Sequence, residues 1–326
     1  MPTLRGTTAR RHRRGLVGIG ALLAVLLAGC GGEDAGAAGG TETVTLGLIP
    51  IVDVAPVYLG IQQGFFEQEG IGLELSSGQG GAAIVPGVAS GSLDFGFGNN
   101  TSTLLGASKG LPLKVVASGV YGTGTPGADY VEVMVTGDSP MRSAADLVGK
   151  KVAVNTLQNI GDTTVRASVR AAGGDAGAVE FVEMPFPNMN AALAAGDVDA
   201  IWQVEPFLAM AKADGHRILA SPFTDTTPEL MVSTYFTTRK FAQENPELVA
   251  RFTTAIDKSL SYARDNPDAV RAIIPTYLDI PAELAAELVL PKWTPEINRT
   301  AIEVLAELAE RDGLVTTRPD LQALLG

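Results

Sequence analysis

The chain has 326 residues, a formal net charge of −12 at pH 7 and a single cysteine. So acidic a chain is poorly suited to bind nucleic acid or to adhere to anionic lipid headgroups through its protein surface. With one cysteine no disulfide framework is possible.

At the N-terminus, Arg5, Arg10, Arg11, Arg13 and Arg14 precede an uncharged apolar stretch over 15–29, the layout of a secretory signal. That stretch is shorter than the roughly 18 to 20 residues a membrane-spanning helix needs, so no transmembrane helix is expected. Leu27, Ala28, Gly29 and Cys30 resemble the bacterial lipobox. The resemblance implies a signal peptide over 1–29, a lipid anchor on Cys30 and residence at the outer face of the cytoplasmic membrane. The adjacent Arg10 and Arg11 leave the twin-arginine route open beside the general secretory one. Loss of a leader with five arginines and no acid takes the charge from −12 to −17. Residues 30–42 are small and polar, without apolar periodicity, and read as a flexible tether.

From residue 43 onward, short β-branched or apolar runs alternate with amphipathic stretches, the pattern of an α/β protein with largely parallel sheets. Strands are expected at 44–48, 72–75, 94–97, 113–118, 131–135, 151–154, 179–182 and 199–203. Two Gly, Pro, Thr and Ser-rich stretches, 121–129 and 220–229, break the alternation and enclose a complete α/β unit. They predict an inserted domain: 43–120 with 230–326 forms one discontinuous lobe, 130–219 the other, and the two crossings act as a hinge beside an interlobe cleft. Past residue 239 the chain turns helical, with NPE at 245–247, NPD at 266–268 and IPAE at 280–283 offering Asn caps or Pro in the first turn.

Four stretches carry a family resemblance: APVYLGIQQGFFEQEGIGLEL at 55–75, ASGSLDFGFGNNTSTLLGASKGLPLKVVA at 89–117, DLVGKKVAVNTLQNIGDTTVR at 146–166 and MPFPNMNAALAAGDVDAIWQVEPF at 184–207. In this order and spacing they resemble nitrate/sulfonate/taurine-type and thiamine-pyrimidine-precursor-type binding proteins over nearly the whole mature chain. The resemblance implies a two-lobed type 2 periplasmic-binding-protein fold whose closed form docks on a transmembrane permease with cytoplasmic ATPases. A monomer without cofactor or metal is expected.

Ligands of open α/β sheets bind beyond the carboxyl ends of strands, which marks four loops. IPIVDVAP places Asp53 to accept ligand N–H groups or to cap the next helix, with Tyr58 one turn inward as packing or as a stacking surface. GFGNNTST offers Asn99, Asn100 and Thr101 before a helix whose free N–H groups can hold a ligand oxygen. NTLQNIGDTT offers Asn155 and Thr156, while Asp162 pairs with Arg166 at i, i+4. WQVEPF supplies Trp202 to stack on a flat ligand and Glu205 to accept its N–H groups, against core packing and a first-turn acid as their other roles.

None of these loops contains Arg or Lys, so the ligand expected is a neutral or cationic nitrogen heterocycle such as a thiamine pyrimidine precursor. A sulfonate, taurine or nitrate held on helix N-termini is the alternative. A pyrimidine-synthase-like enzyme, whose family resemblance brings histidine and cysteine chemistry, finds little here. His12 leaves with the leader, His216 lies past the cleft strands and Cys30 is acylated. A protein presenting its ligand to a sensor would have the same lobes, and a neighbouring permease gene is what would separate the two.

Overall fold

The computed structural model describes residues 41–326. The expected signal peptide, the lipidation at Cys30 and nearly all of the expected tether lie outside the described residues. The strands are β1 (Glu42–Leu48), β2 (Ile71–Ser77), β3 (Phe95–Asn99), β4 (Leu113–Ser118), β5 (Val120–Tyr121), β6 (Val131–Val135), β7 (Lys151–Val154), β8 (Glu180–Glu183), β9 (Ala200–Val204), β10 (Arg217–Ala220), β11 (Ser233–Thr238) and β12 (Lys292–Trp293). They build two five-stranded sheets, ordered β2-β1-β3-β11-β4 and β10-β6-β9-β7-β8, and a small β12-β5 pair.

Each large sheet is mixed, which corrects the expectation of largely parallel sheets. In the first, β2, β1 and β3 run parallel while β11 is antiparallel to both β3 and β4. In the second, β8, β7 and β9 run parallel while β6 is antiparallel to both β9 and β10. The odd strand is in each case the one the chain lays down just after passing from the other sheet. Such a strand arrives without a covering crossover helix, so nothing forces it parallel.

The two passages between the sheets run side by side. Gly122 N donates to Leu230 O at 3.0 Å, Val232 N donates to Val120 O at 2.8 Å, and β12 pairs with β5. The approach is close enough that a Cβ on Gly119 would stand 2.5 Å from Ser233 O. The expected irregular crossing at 220–229 is mostly ordered instead. β10 runs to Ala220, and a helix at Pro222–Thr226 packs on the helix Ile160–Ala171. Pro222 fits the first turn, where its missing N–H forfeits no bond. The return passage is therefore confined to 227–232.

The first sheet is covered by the helix Gly81–Ser90, and Gly96 permits the contact: a Cβ there would lie 2.7 Å from both Ile84 Cγ2 and the Phe236 ring. Phe95 stacks on Phe252 of the long helix Pro246–Asp265 at 3.8 Å between centroids. The second core is aliphatic, with Val133, Val152, Val154 and Ile201 fully buried. Each such side chain stabilises the fold by about 1.5–3 kcal/mol. The C-terminal prolines stand in the first turn of their helices as expected, but Asn245 and Asn266 do not cap forwards. Their amides donate backwards, to Phe241 O at 3.1 Å and Tyr262 O at 2.9 Å, closing the preceding helix instead. Pro281 precedes the helix Ala282–Glu287 without a side-chain cap.

Candidate functional site

Four strands of the two sheets end at one seam. β1 and β3 deliver loops 49–54 and Asn99 from the first sheet; β7 and β9 deliver Asn155 and the segment after Val204 from the second. The seam is in contact along its length. Asn155 Nδ2 donates to Gln79 O at 3.1 Å, and Asn159 Nδ2 donates to Ser102 Oγ at 3.0 Å. Between the two lobes lies an inner cavity of about 30 Å³, lined by Asp53, Asn99, Tyr130, Asn155, Phe186, Trp202, Phe223 and Ser233 among others. Such a volume holds about two waters. It shares Ile49, Ile51 and Phe186 with a mouth of about 330 Å³, to which Pro50, Gln79, Phe207 and Tyr277 contribute.

Asp53 lies in a 3-10 turn at Val52–Val54 and is 4 % exposed. The helix that follows, Ala55–Gln62, has Val54 at its cap position and no side-chain cap bond, so Asp53 is free of that role. The Tyr130 hydroxyl stands 3.5 Å from Asp53 Oδ2, and Oδ1 has no partner among the described residues. Burial pushes its carboxyl up to about 7, against smaller lowering by its backbone N–H and by Tyr130.

Trp202 faces Asp53's cavity from β9. It is 4 % exposed, its indole packs between Phe186 and Phe223 at 5.9 Å from each ring centroid, and its Nε1 has no partner among the described residues. A buried N–H and a buried carboxylate oxygen left unpaired, on two residues that line one cavity, each carry a desolvation penalty of about 1–3 kcal/mol, which a ligand reaching both groups would remove. Asn99 caps the helix Asn100–Ser108 by accepting Ser102 N at 2.9 Å while also lining the cavity. Asn155 lines it from the other lobe.

The remaining expected site residues lie elsewhere. Glu205 is buried behind the seam: Oε2 accepts Ala209 N at 3.0 Å, Oε1 accepts Val289 N at 3.3 Å, and burial pushes its carboxyl up to about 7. It ties the β9 end to the C-terminal segment through two backbone bonds and is not among the residues lining the cavity. Asn100 is likewise spent on structure, donating to Met231 O at 2.7 Å and accepting from Thr234 Oγ1 at 3.0 Å. Thr101 is buried outside the cavity lining, its hydroxyl without a partner among the described residues. Tyr58 stacks flat on Tyr277, 4.0 Å and 3° apart, and also misses the lining.

Thr156 stands at the seam, its Oγ1 2.6 Å from where a Cβ on Gly80 would be. Asp162 does not pair with Arg166. It is buried and accepts Gln158 N at 2.9 Å, whereas Arg166 bonds Ala176 O and lies over the Phe181 ring. Sequence reasoning missed Tyr130, Phe186, Phe223 and Ser233. Phe186 had a visible signal, since it lies in the motif stretch between β8 and β9; the other three stand where the passages enter the lobes and had none. A larger cavity of about 610 Å³, lined by Tyr121, Glu229, Pro267, Leu290, Trp293 and Ile297 among others, lies against the passages and receives none of the four loops.

The pattern of the NMT1/THI5 like family matches residues 51–270, and the chain belongs to that family. A formylaminopyrimidine-binding protein of Halalkalibacterium halodurans is 27% identical over 267 residues, 80% of this chain and 78% of that protein. A taurine-binding periplasmic protein of Escherichia coli is 25% identical over 205 residues, 63% of this chain and 61% of that protein. In three dimensions the alkanesulfonate-binding protein of Xanthomonas axonopodis pv. citri superposes with a TM-score of 0.74 at 18% identity, covering 87% of this chain and 98% of that one. The fold is thus the two-lobed periplasmic-binding-protein fold expected from the sequence.

Proposed function

We propose that the chain is the solute-binding subunit of an ABC importer, closing its lobes on a neutral or cationic nitrogen heterocycle of the pyrimidine class. The observation that carries the ligand class is the inner cavity: Asp53, whose Oδ1 has no partner among the described residues, and Trp202, whose Nε1 has none, both line a space with aromatic walls and no Arg or Lys among its lining residues. A heterocycle with one N–H donor and one ring-nitrogen acceptor satisfies both groups, and Phe186 and Tyr130 offer it apolar surface. The 27% identical relative named for a formylaminopyrimidine supports the same class.

A sulfonate is disfavoured by the Asp53 carboxyl, which sets an acceptor against an anion. The N-terminal N–H groups that would hold it are already engaged at Ser102 N by Asn99 and at Ile160 N by Asn159. Binding without chemistry is supported by the relatives named for binding a formylaminopyrimidine and taurine. A ring exceeds about 30 Å³, so the lobes must part to admit it, with residues 122–129 and 227–232 as the hinge. Cys30 anchors the protein to the membrane, where a permease with its ATPases takes the closed form.

A thermal-shift screen of the chain lacking residues 1–30 tests this reading, against aminopyrimidines, taurine, alkanesulfonates and nitrate. A ligand at 100 times its Kd stabilises by about 2.7 kcal/mol, and Tm moves by about 2–4 °C per kcal/mol in a domain of this size. A pyrimidine hit lost in Asp53→Asn is expected. A sulfonate or nitrate hit overturns the ligand class while leaving the importer role, and stabilisation by none of them overturns both.

A further inference from the structure

We infer that Arg170 and Asp312 form a latch between the lobes that sets how much of the unliganded protein is closed and, through that population, its affinity for ligand. Arg170 occupies the last turn of the second-lobe helix Ile160–Ala171, and Asp312 is the C-cap of the first-lobe helix Arg299–Arg311. The pair is bidentate, Nη1 to Oδ1 at 2.6 Å and Nη2 to Oδ2 at 3.2 Å, with side-chain exposures of 26 % and 5 %. Forked geometry and partial desolvation set it apart from the exposed ion pairs that contribute little. Asp312 also stands at the negative end of its own helix, where an anion is unfavourable without a cation. Arg311 supplies a cation in the helix's own last turn, but the fork that engages both oxygens of the Asp312 carboxylate comes from the other lobe.

The position of the pair makes it sensitive to closure. The helix Arg299–Arg311 starts at the passages, where Asn298 N donates to the Tyr121 hydroxyl at 3.1 Å and Asn298 Nδ2 to Glu229 O at 3.5 Å. Thirteen residues later, about 20 Å away at 1.5 Å per residue, its far end holds Arg170. A rotation of about 10° at the passages moves that end by about 3 Å, enough to part a hydrogen-bonded fork. The other end of the Arg170 helix carries Asn159, bonded to Ser102 beside the cleft. One rigid helix therefore couples the remote pair to the seam that must open for a ligand. Opening breaks both contacts, so the latch lowers the free energy of the closed state alone.

The affinity consequence rests on the binding function proposed above; the closure consequence does not. The test is a spin-label distance measurement on the unliganded full chain, with Cys30→Ser removing its only native thiol and labels at Asn188→Cys and Asp279→Cys across the mouth. Arg170→Met and Asp312→Asn should each move population to longer distances, as should raised salt in the parent, and the exchange Arg170→Asp with Asp312→Arg should restore the shorter one. With a ligand in hand, both single variants should bind several-fold more weakly, mainly through faster dissociation. Unchanged distances in the isosteric Asp312→Asn, with only a lowered Tm, would overturn the latch and make the pair ordinary packing; a shift in distance without any ligand found would sustain it and count against the binding function alone.

Discussion

Asp53 and Trp202 occupy positions that folding alone does not explain. A buried indole N–H without a partner destabilises the apo protein, and removing it should stabilise or leave the fold unchanged. Trp202→Phe is therefore expected to keep the parent Tm within about 2 °C while weakening heterocycle binding by about tenfold or more, the equivalent of one lost hydrogen bond. Calorimetric titration beside a melting curve checks it. A large fall in Tm with unchanged affinity would make the indole a core residue. Glu205 illustrates the opposite case, a carboxylate whose two oxygens are both engaged by backbone N–H groups. From sequence the two acids looked alike, each at a strand end before a proline-led helix. What distinguishes them is Val289, which reaches Glu205 from 84 residues away, a contact that no local pattern encodes.

Among the elements, the eight expected strands all form, but not for one reason: β6 and β7 are mostly apolar and almost wholly buried, whereas β2 and β8 are edge strands that are mostly half-buried or exposed. The missed strand β11, STYFTT, is buried almost throughout although three of its six residues are threonine. Two of its threonine hydroxyls are satisfied inside the sheet region, Thr234 by Asn100 and Thr237 by Asp94 O, so a hydrophobicity pattern could not reveal it. β5 and β12 are two residues each; they pair with one another, and β5 also bridges to Met231 of the return passage. Asn100 joins the helix Asn100–Ser108 to the return passage through its amide nitrogen and to β11 through its amide oxygen. Asn100→Ala leaves Met231 O and the Thr234 hydroxyl unpaired, which should cost about 2–4 kcal/mol and lower Tm by roughly 5–10 °C. Ligand affinity of the folded fraction should stay within about twofold, because the side chain is outside the cavity lining. Selective loss of affinity would return Asn100 to the site.

For the molecule as a whole, the lobes meet through small groups as well as polar ones. Gly80 has an extended backbone at φ 178°, which any residue tolerates, yet a Cβ there would come within 2.6 Å of Thr156 Oγ1 and 3.1 Å of Asn155 Nδ2 across the seam. Gly80→Val should fold with a near-parent Tm but fail to compact on ligand saturation in small-angle scattering; normal compaction would mean the seam yields. The fold also places acids away from water. Burial pushes Asp53, Glu132 and Glu205 up to about 7 and Asp162 up to about 6. All four lie above their unfolded values of about 4, so between about pH 4 and 7 the folded protein holds more protons than the unfolded chain. Stability from these groups is full at about pH 4 and is lost as pH rises through about 6–7. A tenfold difference in proton affinity between the folded and unfolded states of one group corresponds to about 1.4 kcal/mol, and the net acidic charge adds self-repulsion of the same sign as pH rises. The melting temperature should therefore be higher at about pH 5.5 than at about pH 8.5, and the double variant Asp53→Asn, Glu205→Gln should flatten the slope. A Tm that climbs steadily across that range would mean that these carboxylates are ionised in the folded state and compensated by water or cations within the seam.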